Sequence, residues 1–380
     1  MEETFNLKVE KMASQGFGLG FHDSKAIFLP FSYPGEEHVV TLKEDKKNHA
    51  FAKSIEVINP NPNRREVVCP LFGSCGGCQF MDVTYSYQVE LKKAMLEESL
   101  LRIGKLEVDV NDIITSDKEF RYRNKGSFQV KYSKVGYCYP GTTRVFNFDK
   151  CYLLDQPIED HVNMLSKEGR LDKLRMINVR SNNKNEIIDS IVKHSWFIEE
   201  VEGYKFIIDI NNFFQVNKTI VPKWLSYLKG LLRKDDKTAL DLYCGVGIIS
   251  QYLSPHLESV KGIEINKRQI KQAKECLELN DIKNAEYIFA DAKEFLNYSS
   301  DKCDLLIVNP PRAGMDRQVT TDIINYKPNH IIYSSCNPDT FSRDASWLIE
   351  GGYKLLSVQP FDMFPQTHHL ELVGDFVYNS

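Results

Sequence analysis

Between Lys237 and Arg312 the chain repeats one pattern four times, a short apolar run that ends in a polar residue. Lys237-Thr-Ala-Leu-Asp-Leu-Tyr-Cys-Gly-Val-Gly-Ile-Ile-Ser reads as a buried strand, a tight glycine turn and the start of a helix. Val260-Lys-Gly-Ile-Glu264 is a second strand, ending in an acid about 20 residues further on, where a carboxylate can receive two ribose hydroxyls. Tyr287-Ile-Phe-Ala-Asp291 is a third, and Leu305-Leu-Ile-Val-Asn309-Pro-Pro-Arg312 a fourth that stops in a rigid proline turn. Strands alternating with helical stretches build a parallel sheet, whose ligands bind outside the carboxyl ends of its strands. The pattern therefore demands an α/β, Rossmann-like domain with one crevice, lined by Tyr243, Gly245, Glu264, Asp291 and Asn309. No dinucleotide Gly-x-Gly-x-x-Gly is present and no Walker lysine follows the glycines, so S-adenosylmethionine fits the crevice better than NAD or ATP.

Two further segments belong to this domain, which is expected to span residues 209–380. His330-Ile-Ile leads into Tyr333-Ser-Ser-Cys336-Asn-Pro338, which puts a thiol at the end of a strand, facing a ligand rather than a core. A cysteine is otherwise a small hydrophobe, and only its neighbours in the crevice favour chemistry. Near the last strand, Phe361-Asp-Met-Phe-Pro-Gln-Thr-His-His-Leu-Glu371 offers an acid and two histidines. Adjacent histidines on a regular strand point to opposite sides and cannot share one metal, which leaves Glu371 as the functional candidate. Just before the domain's first strand, Gln215 in Asn211-Asn-Phe-Phe-Gln-Val-Asn217 is placed to cover the cofactor.

Upstream, residues 1–58 show short strand-like runs separated by Gly16-Phe-Gly-Leu-Gly20 and Pro34-Gly35, the pattern of a small β-barrel. Asn59-Pro-Asn-Pro-Asn-Arg-Arg65 then breaks all periodicity as a linker. A middle domain over 66–208 is expected, with part of 84–105, an amphipathic helix, packing on the catalytic domain. It opens with Cys69, Cys75 and Cys78 among glycines, a loop that can converge sulfur on a metal, with Cys151 or Cys138 as the fourth ligand. Zinc and an iron–sulfur cluster both accept four thiolates. Phe120-Arg-Tyr-Arg-Asn-Lys-Gly-Ser-Phe interleaves Arg121, Arg123 and Lys125 with rings, as on surfaces that bind RNA. A solvated strand face gives the same alternation. The formal charge of −4 offers no global attraction to nucleic acid, so RNA contact has to be local. With no apolar run near the ~18 residues of a membrane span and no signal segment at Met1-Glu-Glu-Thr-Phe-Asn, a soluble, cytoplasmic, monomeric protein without membrane contact is expected.

The glycine spacing and the Phe28-Leu-Pro to Pro34-Gly-Glu segment resemble a TRAM domain, an RNA-binding barrel. Taken together, the four cysteines, Phe-Phe-Gln-Val-Asn, Asp-Leu-Tyr-Cys-Gly-Val-Gly, Asn-Pro-Pro-Arg-Ala-Gly, Ser-Ser-Cys-Asn-Pro and Phe-Pro-Gln-Thr-His-His-Leu-Glu resemble the RNA (uracil-C5-)-methyltransferase family over nearly the whole chain. The resemblance implies a [4Fe-4S] cluster on Cys69, Cys75, Cys78 and Cys151 in the middle domain, a methyltransferase domain, and methylation of one uridine in ribosomal or transfer RNA. 23S ribosomal RNA is the first expectation. Two positions depart from the family: many members carry Asp at Asn309, and some carry Asn at Ile248.

The chemistry also follows from the residues. Carbon-5 of uracil is too weak a nucleophile to attack a methyl sulfonium, so a thiolate, here Cys336, must first add to C6. A positive field from Arg312, itself a candidate RNA contact, would assist ionisation of the thiol. Glu371 then removes the C5 proton. The Asn309 amide can donate to uracil O4 and accept from N3–H. Two other readings compete: an amino-directed methyltransferase, to which Asn-Pro-Pro also belongs but which places an aromatic where Arg312 stands, and a non-catalytic iron–sulfur RNA-binding protein.

Overall fold

A computed structural model describes residues 4–193, 195–299 and 302–379. The chain divides into two compact units. The first comprises Met1–Ser99, Cys138–Arg144 and Phe364–His369. Its six strands are β1 (Thr4–Lys8), β2 (Lys11–Ala13), β3 (Phe17–His22), β4 (Lys25–Pro30), β5 (Glu37–Asp45) and β6 (His49–Asn59). They form one sheet in the order β1-β5-β6-β4-β3-β2. Alternation turns Leu7, Val9, Ile27, Leu29, Val40, Ala50 and Ala52 into one core. The sheet curls so tightly that a Cβ on Gly20 would meet the Lys8 carbonyl oxygen at 2.2 Å, and one on Gly18 would meet Ser32 Oγ at 2.2 Å. Glycine at these two positions is what lets β3 lie against the start of the chain. On the other face Phe17, Phe28, His49 and Phe51 make a continuous set of ring contacts with centroids 5.4 to 6.5 Å apart.

Helix α1 (Tyr85–Ser99) completes this unit together with Phe364–His369. The latter is tied in by Gln366, whose carbonyl accepts from the amides of Gln79 and Phe80 and whose side chain accepts from Gln88.

The cysteine-rich segment requires a correction. No central iron–sulfur domain is formed: Cys69, Cys75 and Cys78 belong with the N-terminal sheet and Cys151 with the other unit. Among the described residues no group of three or more His, Cys, Asp or Glu side chains is placed to hold a metal. Local hydrogen bonds dictate this loop. Phe72 N donates to Cys69 O, Cys75 N to Leu71 O and Gly77 N to Cys75 Sγ, so the chain closes on its own backbone. Burial, opposed by the Gly77 N–H, raises the Cys75 pKa. As placed, the described residues form no four-thiolate centre for the expected [4Fe-4S] cluster.

The second unit begins with β7 (Lys125–Lys131), β8 (Lys134–Cys138), β9 (Val145–Asn147), helix α2 (Gln156–Lys167), β10 (Met176–Ser181) and β11 (Ile187–Asp189). These strands form a sheet in the order β11-β10-β7-β8-β9. A hairpin of β12 (Trp196–Val201) and β13 (Tyr204–Asp209) and helix α3 (Val221–Gly230) lead to the main sheet. Its strands are β14 (Thr238–Leu242), β15 (Ser259–Glu264), β16 (Ala285–Phe289), β17 (Leu305–Val308), β18 (His330–Ser335), β19 (Tyr353–Phe361) and β20 (Glu371–Tyr378). Helices α4 (Ile248–Leu253), α5 (Lys267–Leu279), α6 (Arg317–Tyr326) and α7 (Pro338–Glu350) connect them.

The order is β16-β15-β14-β17-β18-β20-β19, parallel through β18 and antiparallel beyond it. Successive strands run outward in both directions from the β14/β17 neighbours, so the crevice opens at their carboxyl ends. Central β17 and β18 are buried at every position, as strands covered on both faces must be. Among the described residues no helix is long and apolar enough to cross a membrane.

The first residue of β18 is clamped. His330 is 1 % exposed, with Nδ1 2.8 Å from Asp236 Oδ2 and Nε2 2.9 Å from Asp375 Oδ1. An imidazolium can donate to both carboxylates at once, and Arg233 also donates to both oxygens of Asp375, at 2.9 and 3.0 Å. Burial opposes that charge, but the bonds to Asp236 and Asp375 outweigh it and raise the pKa above 6.5. Because the folded pKa is raised, the clamp's stabilisation is complete below the unfolded value and fades as pH rises through the folded one. At pH 6, His330→Ala should cost about 3 kcal/mol, the lower end for breaking a buried pair, since Asp236 loses its cation while Asp375 keeps Arg233. Thermal melts of the two proteins should converge at alkaline pH, and an equal gap at pH 6 and pH 9 would refute the charged clamp.

Candidate active site

The site grows from three loops at the carboxyl edge of the main sheet. After β14 the chain turns through Tyr243 (φ 63°), Gly245 (φ 58°) and Gly247 (φ 79°). Gly247 begins α4, and a Cβ there would strike Tyr287 Oη at 2.2 Å, so only glycine permits the turn. The nearest atom to a Cβ built on Gly245 is Gln269 Nε2, at 3.6 Å. Glu264, closing β15, accepts from Gly245 N at 3.2 Å and from Asn266 N at 2.7 Å. Asn266 in turn caps α5.

Ile265, next to Glu264, is 62 % exposed, and Phe213, whose carbonyl accepts from Gln269, is 67 % exposed, so both offer apolar surface to a ligand. Gln215, beside Phe213, is buried. Asp291 follows β16 and caps the next turn through Lys293 N. Tyr243 carries a hydroxyl pKa raised by burial and by Asp291, Asp316 and Asp344. Glycine cradle, ribose-competent acid and open apolar flanks fit an adenosyl group.

On the other side of the sheet's midpoint, Asn309 follows β17 and donates its amide to Leu242 O. The Arg312 carbonyl accepts from Asn337 Nδ2 at 3.0 Å and Thr340 Oγ1 at 3.2 Å, which ties this loop to the start of α7. Cys336 stands between β18 and Asn337, the N-cap of α7. Strand register then decides its neighbour. β18 pairs with β20 as Ser334 with Val373 and Ser335 with Leu372, which leaves Cys336 and Glu371 as the next residues beyond the last pair, close enough to interact.

These two groups influence one another. Burial, with repulsion from Glu371, pushes the Cys336 thiol up to about 11, while the charge and hydrogen bond of Arg312 pull it down. The expected assistance from Arg312 is present but outweighed in this state. Burial raises Glu371 to about 7, opposed by a hydrogen bond from Ser334. A carboxylate poised near neutrality suits a general base.

The basic stripe makes contacts within the chain. Arg121 pairs with Glu159 at 2.8 Å and donates to the carbonyls of Cys151 and Leu154. Lys125 donates to Asn212 O, and its pKa falls to about 8 through burial and the charge of Arg180. Arg123 Nε donates to Lys125 O. All three cations therefore make contacts within the fold. Arg312 alone of the four lies beside the thiol.

Sequence reasoning missed Arg180, Ser334 and Trp224. Arg180, fully buried, donates to Phe214 O and Gln215 O and so holds the Gln215 loop. Ser334 could have been found, since strand periodicity places it on the face of Cys336.

Known proteins resemble this chain over most of its length. The family model for tRNA (Uracil-5-)-methyltransferase matches residues 151–377, and that for the TRAM domain residues 2–55. A curated but uncharacterized RNA methyltransferase of Caldanaerobacter subterraneus is 30 % identical, with 98 % of each chain covered. Another, from Aquifex aeolicus, is 31 % identical, also with 98 % of each covered. Among solved structures, the tRNA (uracil-54, C5)-methyltransferase of Pyrococcus abyssi in complex with S-adenosyl-L-homocysteine aligns with a TM-score of 0.76 at 25 % identity. That alignment covers 98 % of this chain and 100 % of the other.

Proposed function

The chain belongs to the S-adenosylmethionine-dependent tRNA (Uracil-5-)-methyltransferase family, and from that premise we propose that it methylates C5 of one uridine in 23S ribosomal RNA, with Cys336 as nucleophile and Glu371 as base. The observation that supports the reading is the register of β18 against β20, whose last pair, Ser335 with Leu372, brings Cys336 and Glu371 near one another.

The bound cofactor supplies an electrophilic methyl group. Glu264 receives the ribose hydroxyls, Gly245 leaves the backbone open to close approach, and Tyr243, Gln215 and Asp291 complete the pocket. Glu264→Ala should weaken S-adenosylmethionine binding by about 1.5 to 3 kcal/mol, the worth of hydrogen bonds to a charged group. Calorimetry checks this, with Glu264→Gln, which keeps one acceptor, falling between. Unchanged affinity in both would mean that the ribose lies elsewhere.

Cys336 Sγ bonds to C6 of the uracil, and the electron density reaching C5 makes that carbon the methyl acceptor. Glu371 then takes the C5 proton, the C5–H electrons re-form the ring double bond, and the C6–S bond breaks to return the thiolate. Asn309 reads O4 and N3–H, which cytosine would not match. Arg312 lowers the thiol pKa and meets RNA phosphate.

The N-terminal barrel and Asn309-Pro-Pro-Arg312 support ribosomal RNA. A second reading, transfer RNA, is favoured by the likeness to the Pyrococcus abyssi enzyme. The aromatic face of Phe17, Phe28, His49 and Phe51 suits unpaired bases in either. Purified protein incubated with labelled cofactor and unmodified 23S ribosomal or transfer RNA decides between them. Nucleoside mapping should find 5-methyluridine at one position of the ribosomal RNA. The same product confined to transfer RNA selects the second reading, and a methyl at oxygen, N3 or adenine overturns both.

A further inference from the structure

We propose that Trp224 and Ser334 are positioning residues for Glu371, forming a hydrogen-bond relay of fixed direction that reserves its Oε2 for the substrate proton. The inference rests on the reading of Glu371 as base. Trp224 lies in α3 and is completely buried, and its Nε1 stands 3.2 Å from Ser334 Oγ. Ser334, also completely buried, stands 2.9 Å from Glu371 Oε1. An indole N–H can only donate, so it occupies a lone pair of the serine oxygen. The serine hydroxyl proton is then directed at Glu371, and Oε1 must always accept. Any proton on Glu371 therefore sits on Oε2, which accepts no hydrogen bond from the described residues.

The surroundings leave this relay in control. Just beyond β18 the titratable neighbour of Glu371 is Cys336, which Arg312 contacts, and on β19 the paired position is the uncharged Phe361. Burial favours the protonated carboxyl, and the Ser334 hydroxyl opposes burial by bonding the charged form. When Oε2 takes the C5 proton, the C5–H pair becomes the C5–C6 double bond and the pair of the C6–S bond leaves on Cys336. Oε1 remains bonded to Ser334 throughout, so the carboxyl need not turn.

The test follows tritium release to water from 23S ribosomal and transfer RNA transcripts carrying [5-³H]uridine, measured from pH 5.5 to 9. Ser334→Ala should move the rising midpoint of the profile up by roughly one pH unit, the scale of one lost bond to a carboxylate. The protein–RNA adduct should accumulate several-fold below that midpoint. Ser334→Thr, which keeps the hydroxyl, should restore the wild-type midpoint. Trp224→Phe, which frees the serine to turn, should give a smaller upward shift, and it decides the matter if Ser334→Ala does not fold. A midpoint unmoved in the variants that fold overturns the relay, because a merely structural role would lower yield without moving the profile. Tritium release undiminished in Glu371→Gln would instead sink the reading of Glu371 as base.

Discussion

Cys336→Ala should lose methyl transfer by a factor on the order of 10⁴ or more, the scale set by removal of a catalytic nucleophile. The loss should be confined to chemistry. Cys336 is half-buried at the end of β18 and donates nothing to the core, so the variant should melt within about 1 kcal/mol of the wild type. Calorimetry should show unaltered cofactor binding, since the cofactor loops follow β14, β15 and β16. Without the thiol no bond to C6 can form. RNA carrying 5-fluorouridine should therefore be trapped by the wild type as an adduct that survives denaturing electrophoresis, because fluorine cannot leave as a cation, and should pass untouched through the variant. An adduct mapped by mass spectrometry to Cys244 would move the nucleophile. That thiol is buried, and burial together with Asp241 and Glu264 holds its pKa well above the ordinary value.

Glu371→Gln should stop one step later. Addition and methyl transfer need no base at C5, so the variant should accumulate a methylated uracil bonded through C6 to Cys336. Turnover should fall by about 10² to 10⁴, the usual contribution of a general base. The substitution is nearly isosteric and keeps an acceptor for Ser334, so failure to fold is a poor explanation of the loss. Stability should move the other way. The carboxyl pKa is raised to about 7, so between the ordinary carboxylate range and pH 7 the folded state holds a proton that the unfolded state has released. Stability falls as pH rises across that window, and glutamine is free of the penalty. At pH 8 the variant should melt no lower than the wild type. Mass spectrometry that finds free RNA and no methylated adduct would remove Glu371 from the proton step.

What could be read in advance followed local rules. The turn after β14, Glu264, the Asn309 to Arg312 loop and Cys336 each sit within one strand–loop unit, and a parallel sheet brings the ends of such units together by construction. Glu371 was legible as a residue near the last strand, but its placement near Cys336 depends on antiparallel register, which lies outside any local window. The cysteine loop misled for the same reason. Convergence of Cys69, Cys75, Cys78 and Cys151 is a statement about distant segments, whereas the hydrogen bonds that shape the loop are local. Arg121 and Lys125 show the limit of alternation. A period of two tells which face a cation leaves from, but not that Glu159 or the Asn212 carbonyl waits there.

The clamp on His330 ties the durability of the enzyme to the opposite side of neutrality from its turnover. One strand, β18, begins at an imidazolium held by two carboxylates and ends beside a thiol whose proposed partner base has to be ionised. Raising the pH brings Glu371 into its working form and pulls Cys336 toward the thiolate, while it removes the proton that pins the far end of the same strand to Asp236 and Asp375. A buffer chosen for the fastest assay is thus a poor one for storage. Selection for activity in an alkaline setting would be expected to act first on His330, replacing a clamp that depends on a proton with one that does not.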